Sequence, residues 1–213
     1  MSERAYGQFC GVARALEIVG DRWALMIVRD LLVGPKRFSD LCTGLPKIPT
    51  NVLTTRLKQL EAAGVAARRA LPRPAGGVVY ELTPRGRELE SAVVAIGRWG
   101  AKLLDAPRDG EVVTVDSLAM ALRTTFRPEA AGDLSARYEL QVGDIVVHAI
   151  VGGSRVTVGR GPIEDADLTL AATPALKDLM SGEMTPRQAL ATGAVRIRGN
   201  RRLFDRFAKI FRI

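Results

Sequence analysis

Four breaks cut the first 64 residues of this chain into four short apolar segments, and that punctuation restricts its fold more than any other feature. Gly20-Asp21, Gly34-Pro35, the run Thr43-Gly44-Leu45-Pro46 and Gly64 each end a stretch whose apolar residues recur at helical spacing. The spacing predicts helices over residues 9–19 and 22–33, then a short one opened by Phe38-Ser39-Asp40-Leu41 with Ser39 near its cap. A fourth starts at Pro49-Thr50, runs to Ala63 and stops at Gly64, a natural C-terminal glycine. Residues 65–71 and 78–82 read as strands, and the segment Pro72-Arg73-Pro74-Ala75-Gly76-Gly77 between them is too long for a tight hairpin. Thr83-Pro84 then places a cap and an N1 proline before one long helix, with an apolar stripe at Leu89, Val93, Ile96, Trp99 and Leu103.

Helix, helix, short helix, turn, helix, strand, loop, strand is the order of a winged helix-turn-helix. Its physical test is the face of the helix over residues 50–63. Leu53, Leu57 and Leu60 fall at i, i+4 and i+7 and form one buried stripe. At about 100° per residue the opposite side presents Asn51, Thr54, Thr55 and Lys58, short polar groups able to meet base edges and phosphates. Thr50 opens the same helix. Arg56 lies on its flank, placed for a phosphate or for a structural ion pair. A lone amphipathic helix with such a face is more often merely solvated; the ordered set of elements is what favours DNA.

Charge agrees with that reading. The 213-residue chain carries a net charge of +8, with a pI near 10.1. Basic balance alone is weak evidence, so its distribution matters more. Residues 36–73 hold 8 Lys and Arg against 2 Asp and Glu, and residues 196–212 hold 7 against 1. In the first cluster Lys36, Arg37 and Arg73 are candidate DNA contacts, with Lys47, Arg68 and Arg69 as further phosphate partners that set affinity rather than sequence choice.

Composition changes at Ala106-Pro107-Arg108-Asp109-Gly110. This gives a domain over residues 1–105, a linker over 106–113 and a second domain over 114–213, an α+β protein as a whole. In the second part, helices are expected at 116–126, 174–181, 186–192 and 200–212. Strands are expected at 134–141, 145–151, 155–158, 168–172 and 195–197, with Gly152-Gly153 as a hairpin turn. No catalytic constellation appears: His148 is the only histidine, Cys10 and Cys42 are the only cysteines, and no phosphate-binding glycine loop or nucleophile elbow is present. Neither metal nor cofactor is expected, and the protein reads as a non-enzyme. The N-terminus lacks a signal-like apolar run and no stretch is of membrane-spanning length, so the cytoplasm is the expected compartment.

The residues also carry two resemblances. Ala15-Leu16-Glu17-Ile18-Val19-Gly20, Asp21-Arg22-Trp23, Leu31 through Leu41, Val52-Leu53-Thr54-Thr55-Arg56-Leu57, Leu60 through Gly64 and Tyr80 through Gly86 resemble the HxlR-type regulators. That likeness implies a regulator of transcription, a repressor before an activator, that acts as a homodimer on double-stranded DNA at a palindromic operator, with the dimer built from the first helix and the long helix 84–104. Pro49 stands where the family usually has a Ser or Thr cap. Some members sense oxidants through a cysteine near the start, which makes Cys10, with Arg14 nearby, a candidate redox sensor. Against this, a free cysteine is most often buried, and that is the first expectation for Cys10 and for Cys42.

Ala166 through Leu170, Leu176 through Pro186, Ala189 through Gly193 and Val195 through Asn200 resemble the sterol-carrier-protein type of lipid-binding domain. This implies a curved sheet roofed by helices over an apolar cavity that takes a small apolar effector or lipid, with Phe126, Met180, Phe204, Phe207 and Phe211 among its liners. The stripe Leu203, Phe204, Phe207, Ile210 and Phe211 suits a filled core equally well. A competing function is a lipid or small-molecule carrier whose basic N-terminal half binds a protein; co-purifying lipid without DNA affinity would favour it.

Overall fold

The structure is a computed structural model that describes residues 5–105 and 107–213. The chain divides into two compact units, the first ending at Val93 and the second starting at Val94.

The first unit contains α1 (Gly11–Val19), α2 (Ala24–Val33), α3 (Phe38–Gly44) and α4 (Thr50–Ala62), followed by strands β1 (Ala66–Ala70) and β2 (Val78–Leu82). Ile27, Val28, Leu31, Leu41, Leu45, Leu53, Leu57, Leu60, Val65, Val79 and Leu82 are buried and form its core. Gly64 ends α4 with φ +67, a left-handed conformation that a side chain would resist. β1 and β2 pair antiparallel from Ala66↔Leu82 to Ala70↔Val78. Lys36 adds an isolated bridge to this ribbon: its N–H donates to the Tyr80 carbonyl (2.9 Å) and its carbonyl accepts from the Tyr80 N–H (2.7 Å).

The expected cap at Thr83 is present, its hydroxyl accepting from the Gly86 N–H at 3.1 Å. The single long helix expected after it is instead two pieces, α5 (Pro84–Arg87) and α6 (Glu90–Ala101). At the break the Leu89 N–H reaches back three residues to the Gly86 carbonyl (3.2 Å), a tightened turn that closes α5. Periodicity alone cannot show such a break, because the apolar stripe begins only at Leu89, inside it, and residues 84–88 contribute nothing to it.

The second unit takes in the last part of α6, then α7 (Val115–Thr125), α8 (Pro128–Ala131), β3 (Ser135–Val142), β4 (Ile145–Gly152), β5 (Arg155–Arg160), β6 (Leu168–Ala172), α9 (Leu176–Ser181), α10 (Pro186–Ala191), β7 (Val195–Gly199) and α11 (Arg201–Ile210). The unit boundary falls inside α6, N-terminal to the composition change at residue 106. Two features tie the end of α6 to α7. Arg98 donates to the carbonyls of Thr124 (2.7 Å) and Phe126 (2.8 Å). Gly97 lies so close to Thr124 that an added Cβ would sit 2.6 Å from its methyl carbon.

The sheet order is β5-β4-β3-β6-β7, with β3 and β6 parallel and every other pair antiparallel. Tyr138, Leu140, Val147, Ala149, Leu168 and Leu170 are buried on one face, while Gln141, Ile150 and Arg196, out of phase with them, are exposed. α7 packs on β4 and β5, and α11 packs on β6 and β7. The N-terminus of α7 is held by Asp116, fully buried, whose carboxylate accepts from Arg160 of β5 (2.8 Å to Oδ1). Phe207 lies at the centre of the core, with ring centroids 4.7 Å from Phe211 and 5.5 Å from Tyr138. We expect Phe207→Ala to cost about 3–5 kcal/mol, read as a lowered urea midpoint; a loss under about 1 kcal/mol would contradict this packing.

Candidate nucleic-acid interface

Three leucines fix the rotation of α4. Leu53, Leu57 and Leu60 are buried to 1% exposure or less, so Thr50, Asn51, Thr54, Thr55 and Lys58 must face solvent, and all five are exposed. Pro49 precedes the helix with no side-chain cap, as its lack of a hydroxyl requires. The hydroxyls of Thr54 and Thr55 donate back to the carbonyls of Thr50 (2.8 Å) and Asn51 (2.9 Å). Their oxygens therefore remain as acceptors, suited to an exocyclic amino group of a base, while the Asn51 amide has the donor and acceptor pair that matches adenine.

The cations around this face differ sharply. Among the described residues no side-chain partner is found for Lys47, Lys58 or Arg73, and all three are exposed. Arg68 and Arg69 are exposed but paired, to Glu61 (2.8 Å) and Glu81 (2.9 Å). Such surface pairs are worth little and yield readily to a phosphate.

Three expected DNA contacts are engaged elsewhere. Lys36 is a correction: the residue is 2% exposed where its backbone bridges to Tyr80 at the edge of the ribbon, so it is not available to a phosphate. Arg37 donates to the carbonyls of Ala75 (3.0 Å) and Gly76 (2.9 Å), which makes it the brace of the loop that carries Arg73. Arg56 donates to the Asp21 carboxylate and to Gln59 Oε1 (2.6 Å), with its side chain only 16% exposed. Of its two expected roles, the structure has the ion pair. It ties α4 to the turn between α1 and α2.

In the second unit, Phe126, Met180, Phe204, Phe207 and Phe211 were expected to line an apolar cavity. All are at most 5% exposed, and three of the rings stack on one another or on Tyr138. They fill a core. Burial pushes the Tyr138 hydroxyl up to about 12, so it stays a neutral donor, aimed at the Leu203 carbonyl (3.4 Å). A depression of about 380 Å³ lies instead at the ends of β3 and β6, lined by Gln141, Ala171, Thr173 and Arg196 among others. Gln141, Ala171 and Arg196 form one cross-strand row on the face opposite the aromatic core. His148 is structural, its Nδ1 lying 3.0 Å from the Gly161 carbonyl.

Comparison with known proteins agrees with both halves. Residues 18–108 match the HxlR-like helix-turn-helix family and residues 120–212 the SCP-2 sterol transfer family. The HTH-type transcriptional regulator YvaP of Bacillus subtilis is 36% identical over 92 residues, which cover 43% of this chain and 85% of that protein. The chain belongs to the HxlR-type transcriptional regulators. A second HTH-type regulator, sll1512 of Synechocystis, is 32% identical over 99 residues, covering 46% of this chain and 73% of its own. Among solved structures, the redox regulator HypR in its oxidized form shares 32% identity at a TM-score of 0.43, covering 46% of this chain and 100% of that one.

This HxlR-type chain departs from expectation at Cys10, which is exposed rather than buried. It sits at the N-cap of α1, where the backbone N–H groups of Ala13 and then Val12 hold its thiol below the usual range. Arg14 is not the cause; it is bound to Glu17 at 3.0 Å. Cys42 is half-buried. Iodoacetamide should therefore modify Cys10 faster than Cys42, with a pH midpoint below the ordinary thiol value of about 8.5. Equal rates for the two cysteines would remove this assignment.

Proposed function

We propose that this HxlR-type regulator is a repressor that binds a palindromic operator as a homodimer, with α4 lying in the major groove. The observation that carries the reading is the α4 surface: three leucines locked inside, and outside a strip of uncharged hydrogen-bonding groups bordered by cations. Asn51, Thr54 and Thr55 meet base edges, Thr50 approaches the backbone at the first turn, and Lys47, Lys58 and Arg73 neutralise phosphates. Its place of action is the cytoplasm, and no helix among the described residues is long and apolar enough to cross a membrane.

The dimer reading rests on exposed apolar side chains. Tyr6, Phe9, Val12 and Leu16 are 41% exposed or more on and before α1, and Ile96, Trp99 and Leu103 are 52% exposed or more on and after α6. Rows of this kind are uncommon on a monomer. The C-terminal unit serves as an effector domain. A ligand there changes DNA affinity only by favouring one spacing of the two reading helices over another.

Fluorescence anisotropy against the gene's own upstream region should show binding that weakens steeply with salt; flat or absent binding there would defeat the proposal. Within that assay, Asn51→Ala and Thr54→Ala should each cost about 1–3 kcal/mol on the operator and much less on unrelated duplex. Equal losses on both sequences would remove these residues as base readers. Trp99→Glu should convert the dimer to monomer in sedimentation at micromolar concentration, and a variant that stays dimeric would exclude α6 from the interface.

A further inference from the structure

The C-terminal unit has its charge segregated. Residues 106–195 hold 8 Lys and Arg against 12 Asp and Glu, whereas residues 196–212 hold 7 against 1. An acidic body thus carries a basic margin, formed by the edge strand β7 and by α11. Internal structure accounts for only part of that margin: Arg206 caps the Ala131 carbonyl (2.7 Å), as elsewhere in the unit Arg98 caps Thr124 and Phe126 and Arg137 caps Glu164 (3.4 Å). Arg198, Arg201 and Arg202 are exposed, and among the described residues no partner is found for their guanidinium groups. Arg201 and Arg202 also stand in the first turn of α11, where the helix dipole disfavours a cation. Asp205 is the single carboxylate on this helix.

We infer that Arg198, Arg201 and Arg202 form a second duplex-DNA contact, one that holds phosphates and reads no bases. This rests on the proposed DNA-binding function, which supplies the polyanion. The patch is wrong for a bilayer, because Phe204, Phe207, Ile210 and Phe211 are fully buried and α11 has no apolar side left to insert. It is wrong for a protein interface core, which is depleted in charge and rich in aromatic side chains. The one amide side chain in residues 196–212, Asn200, is engaged as the helix cap, its Oδ1 accepting from the Arg202 N–H (3.0 Å), which leaves charge as what this patch offers.

The test uses the full chain and a mixed-sequence duplex of about 40 base pairs, titrated from about 50 to 300 mM KCl. Each lost phosphate contact should flatten the slope of log K against log salt by about 0.9, so the triple Arg198→Ala, Arg201→Ala, Arg202→Ala flattens it by about 2–3. The triple lysine variant should keep the slope, since a point charge suffices for phosphate; this also separates charge from misfolding. A wild-type slope in the alanine triple overturns the inference and leaves the regulator intact. No duplex binding by the wild type overturns both. Loss of binding to phosphatidylserine vesicles with an unchanged DNA slope assigns the patch to a membrane and overturns it too.

Discussion

The burial of Leu53, Leu57 and Leu60 is the constraint from which the rest of the N-terminal unit follows. A helix that gives three leucines to a core has no rotational freedom, and its far side is then set by sequence alone. The Arg56–Asp21 ion pair adds a second restraint, tying α4 to the turn before α2. That pairing explains why this arginine is not offered on the exposed face of α4. For a surface proposed to discriminate bases, rigid presentation matters more than one extra cation, because that discrimination depends on fixed donor and acceptor positions.

The same distinction runs through the whole molecule. Some basic side chains hold structure, and others, such as Lys47, Lys58 and Arg73, have no side-chain partner among the described residues. Lys36 and Arg37 lie side by side in sequence, within the cluster that looks most like a DNA surface, yet one is buried and the other braces the loop between β1 and β2. Arg37 keeps an indirect tie to the proposed DNA surface, since the loop it braces carries Arg73. Net charge counts these residues equally; hydrogen-bond partners separate them.

Much of this was legible in the sequence, for identifiable reasons. The leucine stripe, the Gly64 stop, the Thr83 cap and the Gly152–Arg155 hairpin all depend on residues near each other in the chain, and local physics suffices for them. What was not legible depends on distant partners. Lys36 is buried beside a backbone bridge to Tyr80, 44 residues on. Arg98 holds α6 through carbonyls of Thr124 and Phe126, and β3 pairs in parallel with β6 across two intervening strands. Cys10 failed differently: burial is the general expectation for a thiol, but an N-cap position before a nine-residue helix places it outside. The aromatic stripe of α11 was ambiguous in principle, because periodicity reports which side is covered and not whether the covered space is full.

Fullness has a consequence for how the C-terminal unit works. With Phe211 in ring contact with Phe126, Tyr138 and Phe207, an apolar ligand could enter that core only by separating rings whose removal costs about 3–5 kcal/mol apiece. A ligand would have to return that energy through its own burial, which sets a minimum size rather than forbidding entry. Separation of the rings would not remain local. Phe126 presents its ring to this cluster and its carbonyl to Arg98, so a shift of one displaces the acceptor of the other. The end of α6 is thus held by the same residue that closes the core, and core expansion and the placement of that helix are linked by one side chain and one hydrogen bond.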